Sequence, residues 1–191
     1  MVKSFASVLP LICFVLCSIN FSATDAHGLS YIEKVCKRAA KYNNLINYDF
    51  CLNSLQAIPE SYKVEIPGLL EITTHLALQN LTDTSNVIRR LNGITCDDLL
   101  KGQLLVCETQ YNMAAISLGF FAKECEIKTY LGAEKLASII ECSLKCEEAL
   151  RGATAAGVDA SGLLTNENNN VKQLVSIMKA LAHFVTKNKH G

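Results

Sequence analysis

The sequence predicts an all-α protein: an up-down-up-down four-helix bundle preceded by an N-terminal helical hairpin and held by two disulfides. Half of the 191 residues are apolar, which is enough for one sizeable core. Long segments carry apolar residues at alternating spacings of three and four, and no run of alternating polarity competes with them. Cysteines occur where they can link helices in antiparallel pairs. The expected helices span about 30–42, 47–57, 64–92, 97–123, 130–151 and 169–187.

The first 26 residues have the pattern of a secretory signal peptide. Lys3 is a short basic region, and an apolar run from Val8 to Ile19 follows it. That run is too short to span a bilayer. Thr24 and Ala26 supply the small residues that precede a cleavage site. We therefore expect one domain, residues 27–191, in the mature chain, with no membrane segment after cleavage.

The first two helices carry a cysteine each, Cys36 and Cys51. The midpoint between them falls at Asn43-Asn44, and asparagine is favoured in tight turns. A disulfide between Cys36 and Cys51 would therefore staple an N-terminal helical hairpin.

The third helix is expected to start after Pro59 and around Pro67, because proline is tolerated in a first helical turn. Asn80-Leu81-Thr82 within it is a glycosylation sequon, so Asn80 is a candidate site for a glycan. Its expected core positions are Leu69, Ile72, Leu76, Val87, Ile88 and Leu91.

The fourth and fifth helices each have an apolar seam that contains one cysteine. The fourth follows Thr95 and Asp98, which resemble a capping pair. If the two helices form an antiparallel hairpin, a Cys107–Cys146 disulfide requires a turn near 126–127, where the sequence is polar. The seams are Leu100, Leu104, Cys107, Tyr111, Ala114, Leu118, Phe121 and Cys125, and then Leu136, Ile139, Ser143, Cys146 and Leu150.

The last helix follows a linker that contains Gly152, Gly157 and Gly162. It has one continuous apolar stripe, as expected for a helix packed against a core. The stripe consists of Val171, Leu174, Val175, Met178, Leu181, Ala182 and Val185.

The nine cysteines include Cys13 and Cys17 in the signal, so an odd number remains in the mature chain. Cys96, Cys125 and Cys142 find no partner in the hairpin geometry, and we expect them to be buried thiols. Structural zinc sites use four ligands in close sequence pairs, a pattern that is missing here. No metal site and no cofactor are expected.

Charge and motifs argue against two further classes of function. Lysine and arginine together number 18, as do aspartate and glutamate, so nucleic-acid binding is not expected. The adjacent carboxylates Asp97-Asp98 and Glu147-Glu148 point to different sides of a helix and cannot share a substrate atom. No nucleophile motif or phosphate loop occurs. We expect no catalytic residues and a protein that acts by binding.

The cysteine arrangement and three segments resemble the plant invertase and pectin methylesterase inhibitor family. The likeness covers about residues 30–187, and the wide Cys36 to Cys51 spacing resembles its pollen-type members, described as invertase inhibitors. The matching segments are Asn47 to Leu55, Cys107 to Tyr111 and Glu141 to Ala149.

The resemblance implies a monomeric protein, secreted to the apoplast or cell wall or sent to the vacuole, that blocks the active site of a plant enzyme in a 1:1 complex. Its partner would be an acid invertase (a β-fructofuranosidase) or, alternatively, a pectin methylesterase. Tyr111-Asn112-Met113-Ala114 lacks the acidic residues of methylesterase inhibitors, and Thr129-Tyr130-Leu131 replaces the Pro-Lys-Phe element of invertase inhibitors, so the sequence departs from both patterns. Thr129, Tyr130, Leu131 and Asn112 are the candidate target contacts. A different class, a secreted helical ligand-binding or non-inhibitory reproductive-tissue protein, stays open.

Overall fold

The computed structural model describes residues 23–126, 129, 135–160 and 162–188, so most of the expected signal peptide lies outside it. These residues contain α-helices and one short 3-10 helix, and no strand. The predicted all-α class is confirmed. The α-helices are α1 (Ala23–Tyr42), α2 (Tyr48–Gln56), α3 (Ile66–Ile94), α4 (Asp98–Glu126), α5 (Leu136–Ala155) and α6 (Thr165–Asn188), and the 3-10 helix is Pro59–Lys63.

The four long helices α3 to α6 form the bundle. Helix α3 packs against α4 and α6, and α5 packs against the same two neighbours, so the helices enclose one core. Every predicted seam residue of α4 and α5 is buried except Leu100, which is partly buried against the core. The predicted stripe of α6 is buried throughout. The three- and four-residue spacing therefore identified the core faces of these helices correctly.

The core face of α3 differs from the prediction. Leu69 and Ile88 are buried, but the other four predicted positions lie only at the edge of the core. Threonines take their place: Thr73 Oγ1 donates a hydrogen bond to the Leu69 carbonyl (2.7 Å), and Thr74 Oγ1 donates to the Leu70 carbonyl (2.8 Å). Such bonds to the preceding turn satisfy the hydroxyl, so the threonine methyl can pack in the core.

Two helices begin at side-chain caps. The Asn47 Oδ1 accepts a hydrogen bond from the Phe50 amide (2.9 Å) and starts α2. Asp97, not Thr95, caps α4, because its Oδ1 accepts from the Leu100 amide at 2.8 Å. A capping oxygen accepts from an amide two or three residues further on, inside the first helical turn, whereas Thr95 Oγ1 accepts from the Asp97 amide, which precedes the helix.

The N-terminal hairpin formed by α1 and α2 contacts α6 through hydrogen bonds and aromatic side chains. The main-chain amide of Asn47 donates to Gln173 Oε1, and the side-chain Nε2 of Gln173 donates to the Leu45 carbonyl, both at 2.7 Å. The guanidinium of Arg38 lies 3.9 Å from the centre of the Phe184 ring, a cation–π contact. These polar and aromatic contacts orient the hairpin on the bundle.

Both predicted disulfides are present. Cys36–Cys51 joins α1 to α2, and Cys107–Cys146 joins α4 to α5. All four cysteines are fully buried. One staple therefore lies inside the hairpin and the other inside the bundle.

The connections on either side of α5 differ in part from the prediction. Helix α4 ends at Glu126, where the turn was expected, but α5 begins at Leu136 and not near 130. Helix α5 continues past Gly152 to Ala155. Gly157 (φ 92°) and Gly162 (φ 79°) adopt left-handed conformations that other residues rarely accept, and they turn the chain from α5 towards α6.

Candidate functional site

Helix α4 is apolar on two opposite sides. One side is the buried seam, and the other carries Val106 (41% exposed), Met113 (53%), Ile116 (63%) and Phe120 (65%). These four residues, which we call the α4 surface, follow each other at spacings of seven, three and four and so form one stripe. Apolar side chains gathered on an exposed face are typical of a protein interaction site.

The structure places two of the predicted target contacts near this stripe. Asn112 is exposed and precedes Met113 on α4. Thr129 is exposed just beyond the end of α4, where its amide donates to the Glu124 carbonyl at 3.1 Å. Tyr130 and Leu131 lie outside the described residues. Met113, Ile116 and Phe120 are not among the predicted contacts, although they form a second apolar stripe at helical spacing in the same segment.

A shallow groove of about 180 Å³ between α4 and α5 continues the α4 surface through Phe120. Its charged residues are Glu124 on the α4 side and Lys135 at the start of α5. Leu136 and Ile139 form its apolar floor. One acidic and one basic side chain, Glu124 and Lys135, thus line a small groove beside the exposed Phe120 ring, an arrangement that suits contact with a protein surface.

Below this face, a buried hydrogen bond connects α4 to α6. The Tyr111 hydroxyl donates to Asn168 Oδ1 at 2.7 Å, and both side chains are essentially inaccessible to solvent. Burial raises the pKa of Tyr111 well above its ordinary value, and the nearby Glu167 raises it further. The phenol is therefore a permanent donor that fixes α4 relative to α6.

Replacing Tyr111 with phenylalanine should destabilise the protein by about 1–3 kcal/mol, because Asn168 Oδ1 would stay buried without a partner. Urea unfolding followed by circular dichroism measures the change. Tyr42→Phe is the matched control, since Tyr42 is 50% exposed, and it should change the stability by less than about 0.5 kcal/mol. Equal stabilities for the two variants would contradict the role of the hydrogen bond.

The three cysteines outside the disulfides have different surroundings. Cys125 is buried, Cys142 is partly buried and Cys96 is exposed. The prediction of three buried thiols is therefore wrong for Cys96, which lies in the short connection between α3 and α4 and is exposed to solvent. Burial raises the pKa of the Cys125 thiol to about 11, and it also raises the pKa of Cys142.

A maleimide should label the three thiols of the native protein in the order Cys96, Cys142, Cys125. The thiolate is the reactive form, so the raised pKa and the burial both slow the reaction of Cys125. Peptide mapping by mass spectrometry without reductant gives the rates, and labelling in denaturant gives the full extent. Equal rates for Cys96 and Cys125 in the native protein would refute this order.

His75, Glu147 and His183 lie on the bundle helices α3, α5 and α6. His183 stacks on Tyr42 with ring centres 4.6 Å apart, and His75 is exposed on α3. Glu147 pairs with Lys172 at 3.2 Å. Within the described residues, no group of three or more histidine, cysteine, aspartate or glutamate side chains could hold a metal ion.

The sequon at Asn80 lies inside α3, which continues through it without a break. The Thr82 hydroxyl donates to the Leu78 carbonyl at 2.9 Å, and Asn80 Oδ1 is buried with no hydrogen-bond partner among the described residues. Glycosylation of Asn80 stays a prediction.

The fold and this surface define a disulfide-linked helical bundle with an N-terminal hairpin and an exposed apolar helix face. No helix in the described part of the chain is long and apolar enough to cross a membrane. Residues 30–181 match the family model described as plant invertase/pectin methylesterase inhibitor, and the chain belongs to that family of enzyme inhibitors.

Two relatives are similar along most of their length. A protein of Platanus orientalis named "Putative invertase inhibitor" is 28% identical over 173 residues, which cover 90% of this chain and 96% of the relative. A protein of Platanus acerifolia with the same name is 29% identical over 158 residues, which cover 81% of this chain and 84% of the relative.

Proposed function

We propose that this chain is a secreted, non-enzymatic inhibitor that blocks the active site of a plant acid invertase by forming a 1:1 complex. Membership of an inhibitor family supports an enzyme as the partner, and the names of the two plane-tree relatives favour invertase. The mature protein would start at His27 and act in the apoplast or the vacuole as a monomer.

The observation that carries this proposal is the α4 surface. Met113, Ile116 and Phe120 are each more than half exposed, although they are large apolar side chains. Aromatic and methionine side chains are enriched in the cores of protein interfaces, where they act as anchors. We assign these three residues the central part of the contact with the enzyme.

The other proposed contacts are Asn112 in the middle of α4 and Thr129 just beyond its end, which would supply polar contacts at the rim. Tyr130 and Leu131, which follow Thr129 in the sequence, stay candidate contacts with the enzyme. The groove beside Phe120 is lined by Glu124 and Lys135, so this part of the surface presents both signs of charge to the enzyme. Such rim charges contribute more to the rate and specificity of association than to affinity.

Pectin methylesterase is the second candidate, because the family description includes it. The segment after Tyr111 is Asn112-Met113-Ala114 and has no acidic residue, unlike the pattern we associate with methylesterase inhibitors. We therefore rank invertase first.

The test is a titration of purified residues 27–191 into an acid invertase assay and a pectin methylesterase assay, at acidic and at neutral pH. Loss of invertase activity near a 1:1 ratio, with the methylesterase unaffected, is the expected result. The reduced and alkylated protein serves as the control for non-specific effects. Inhibition of the methylesterase alone would show that the target is the methylesterase and not invertase. Full activity of both enzymes would refute the inhibitor proposal.

A further inference from the structure

A second cavity, whose lining shares no residue with the α4 surface, lies where α5 ends and α6 begins. It has a volume of about 510 Å³, within the range of small-molecule sites. The apolar part of its wall includes Leu150, Ala160, Leu163 and Leu164, from α5 and the α5–α6 linker. Asn168 of α6 and Arg151 of α5 also line it. The proposed contact with an enzyme makes no use of this cavity.

Of the two polar atoms in the Asn168 side-chain amide, only the oxygen has a hydrogen-bond partner among the described residues. Its Oδ1 accepts the hydrogen bond from Tyr111, whereas its Nδ2 has no hydrogen-bond partner among the described residues. Asn168 is 0% exposed. A buried donor without an acceptor is costly and is rare in folded proteins. An acceptor atom of a ligand would remove that cost.

The charges on the cavity wall favour an anion. Glu147 and Arg151 both line the cavity, but Glu147 already binds Lys172, whose Nζ lies 3.2 and 3.4 Å from the two carboxylate oxygens. Arg151 forms no ion pair within the described residues and is exposed to solvent. With Glu147 neutralised, Arg151 supplies the excess charge, and a guanidinium pairs well with a carboxylate.

We propose that this cavity binds a small organic carboxylate with an apolar body. Its carboxylate accepts a hydrogen bond from Asn168 Nδ2 with Arg151 as the counter-charge, while its body packs against Leu150, Leu163 and Leu164. Because Nδ2 is shielded from solvent, binding requires a small outward shift of the linker wall. Gly157 and Gly162 in the linker carry no side chain that would hinder this shift of the main chain.

The test titrates hydrocinnamate and its neutral analogue, hydrocinnamyl alcohol, into the ¹⁵N-labelled mature protein. Hydrocinnamate should shift the side-chain amide signal of Asn168, which is assigned by its loss in Asn168→Asp. That variant keeps an oxygen for Tyr111 but removes the donor, so hydrocinnamate should no longer bind to it. The alcohol should bind about tenfold or more weakly to the wild-type protein, because it lacks the charge that Arg151 pairs with.

Two further variants keep the proposal testable if Asn168→Asp does not fold. Arg151→Gln should weaken hydrocinnamate binding by about tenfold or more and leave alcohol binding unchanged. Ala155→Phe places a large ring at an exposed position of the cavity wall and should block both compounds. Arg90→Gln, an exposed arginine on α3 that does not line the cavity, should bind hydrocinnamate like the wild-type protein.

No binding of hydrocinnamate at millimolar concentration would overturn the proposal. Equal affinity for the wild-type protein, Arg151→Gln and Ala155→Phe would also overturn it, since the ligand would then bind elsewhere. Equal affinity of the acid and the alcohol would refute recognition of a carboxylate.

Discussion

Removing the Cys107–Cys146 disulfide should lower the free energy of unfolding by about 4 kcal/mol. The bond closes a loop with a sequence separation of 39, and the chain-entropy model gives that cost for a loop of this length. The double variant Cys107→Ala/Cys146→Ala avoids placing hydroxyl groups in the core, where both cysteines are fully buried. For a chain of this size the melting temperature should fall by roughly 8–16 °C.

The matched control is Cys36→Ala/Cys51→Ala, which opens a loop with a sequence separation of 15. The same model predicts a loss of about 3 kcal/mol, but this bond lies in the hairpin and not in the bundle. Hydrogen exchange should therefore show the loss in α1 and α2, whereas the bundle variant should lose protection in α4 and α5. An unchanged melting temperature after removal of Cys107–Cys146 would contradict the prediction.

Phe120→Asp and Ile116→Asp should each weaken inhibition of the target enzyme by roughly 30-fold or more. Central interface residues contribute about 2 kcal/mol or more, and about 1.4 kcal/mol corresponds to a factor of ten. Both side chains are largely exposed, at 65% and 63%, so a charge there should not disturb the core. The inhibition constant of the mature protein in the enzyme assay measures the effect.

Leu144→Asp is the matched control, because Leu144 is an exposed leucine (46%) on α5 that lies outside the α4 surface. It should inhibit like the wild-type protein. Circular dichroism and melting temperatures of all three variants show whether each is folded. A folded Phe120→Asp variant that inhibits as well as Leu144→Asp would remove the α4 surface from the proposed contact.

Much of the core could be read from periodicity. The buried positions of α4 and α5 repeat every three or four residues, and the predicted stripe of α6 is buried as well, although α6 also buries Ile177, Ala180 and Phe184 outside that stripe. The seam also indicated the Cys107–Cys146 pair, since both residues stand at core positions of adjacent helices. Periodicity failed for α3, where Thr73 and Thr74 count as polar in the sequence but satisfy their hydroxyls on the preceding turn.

The α4 surface could not be assigned from the sequence in the same way. Helix α4 has apolar residues on two sides, and its own sequence does not indicate which side a neighbouring helix covers. Only the packing of α3 and α5 onto the Cys107 side leaves Phe120 exposed. The same holds for Cys96, which is exposed in the connection between α3 and α4.

The sequence by itself determined the helical class, the two disulfides, the core faces of three bundle helices and, through its motifs, the family. These features depend on spacing along the chain, which is a local property. The tertiary structure alone decided that Asn168 would be buried with an unsatisfied amide, that Arg38 would rest on Phe184, and that one apolar face of α4 would stay open. Each of these depends on which distant segments pack together, because burial is a property of the assembled helices and not of any one of them.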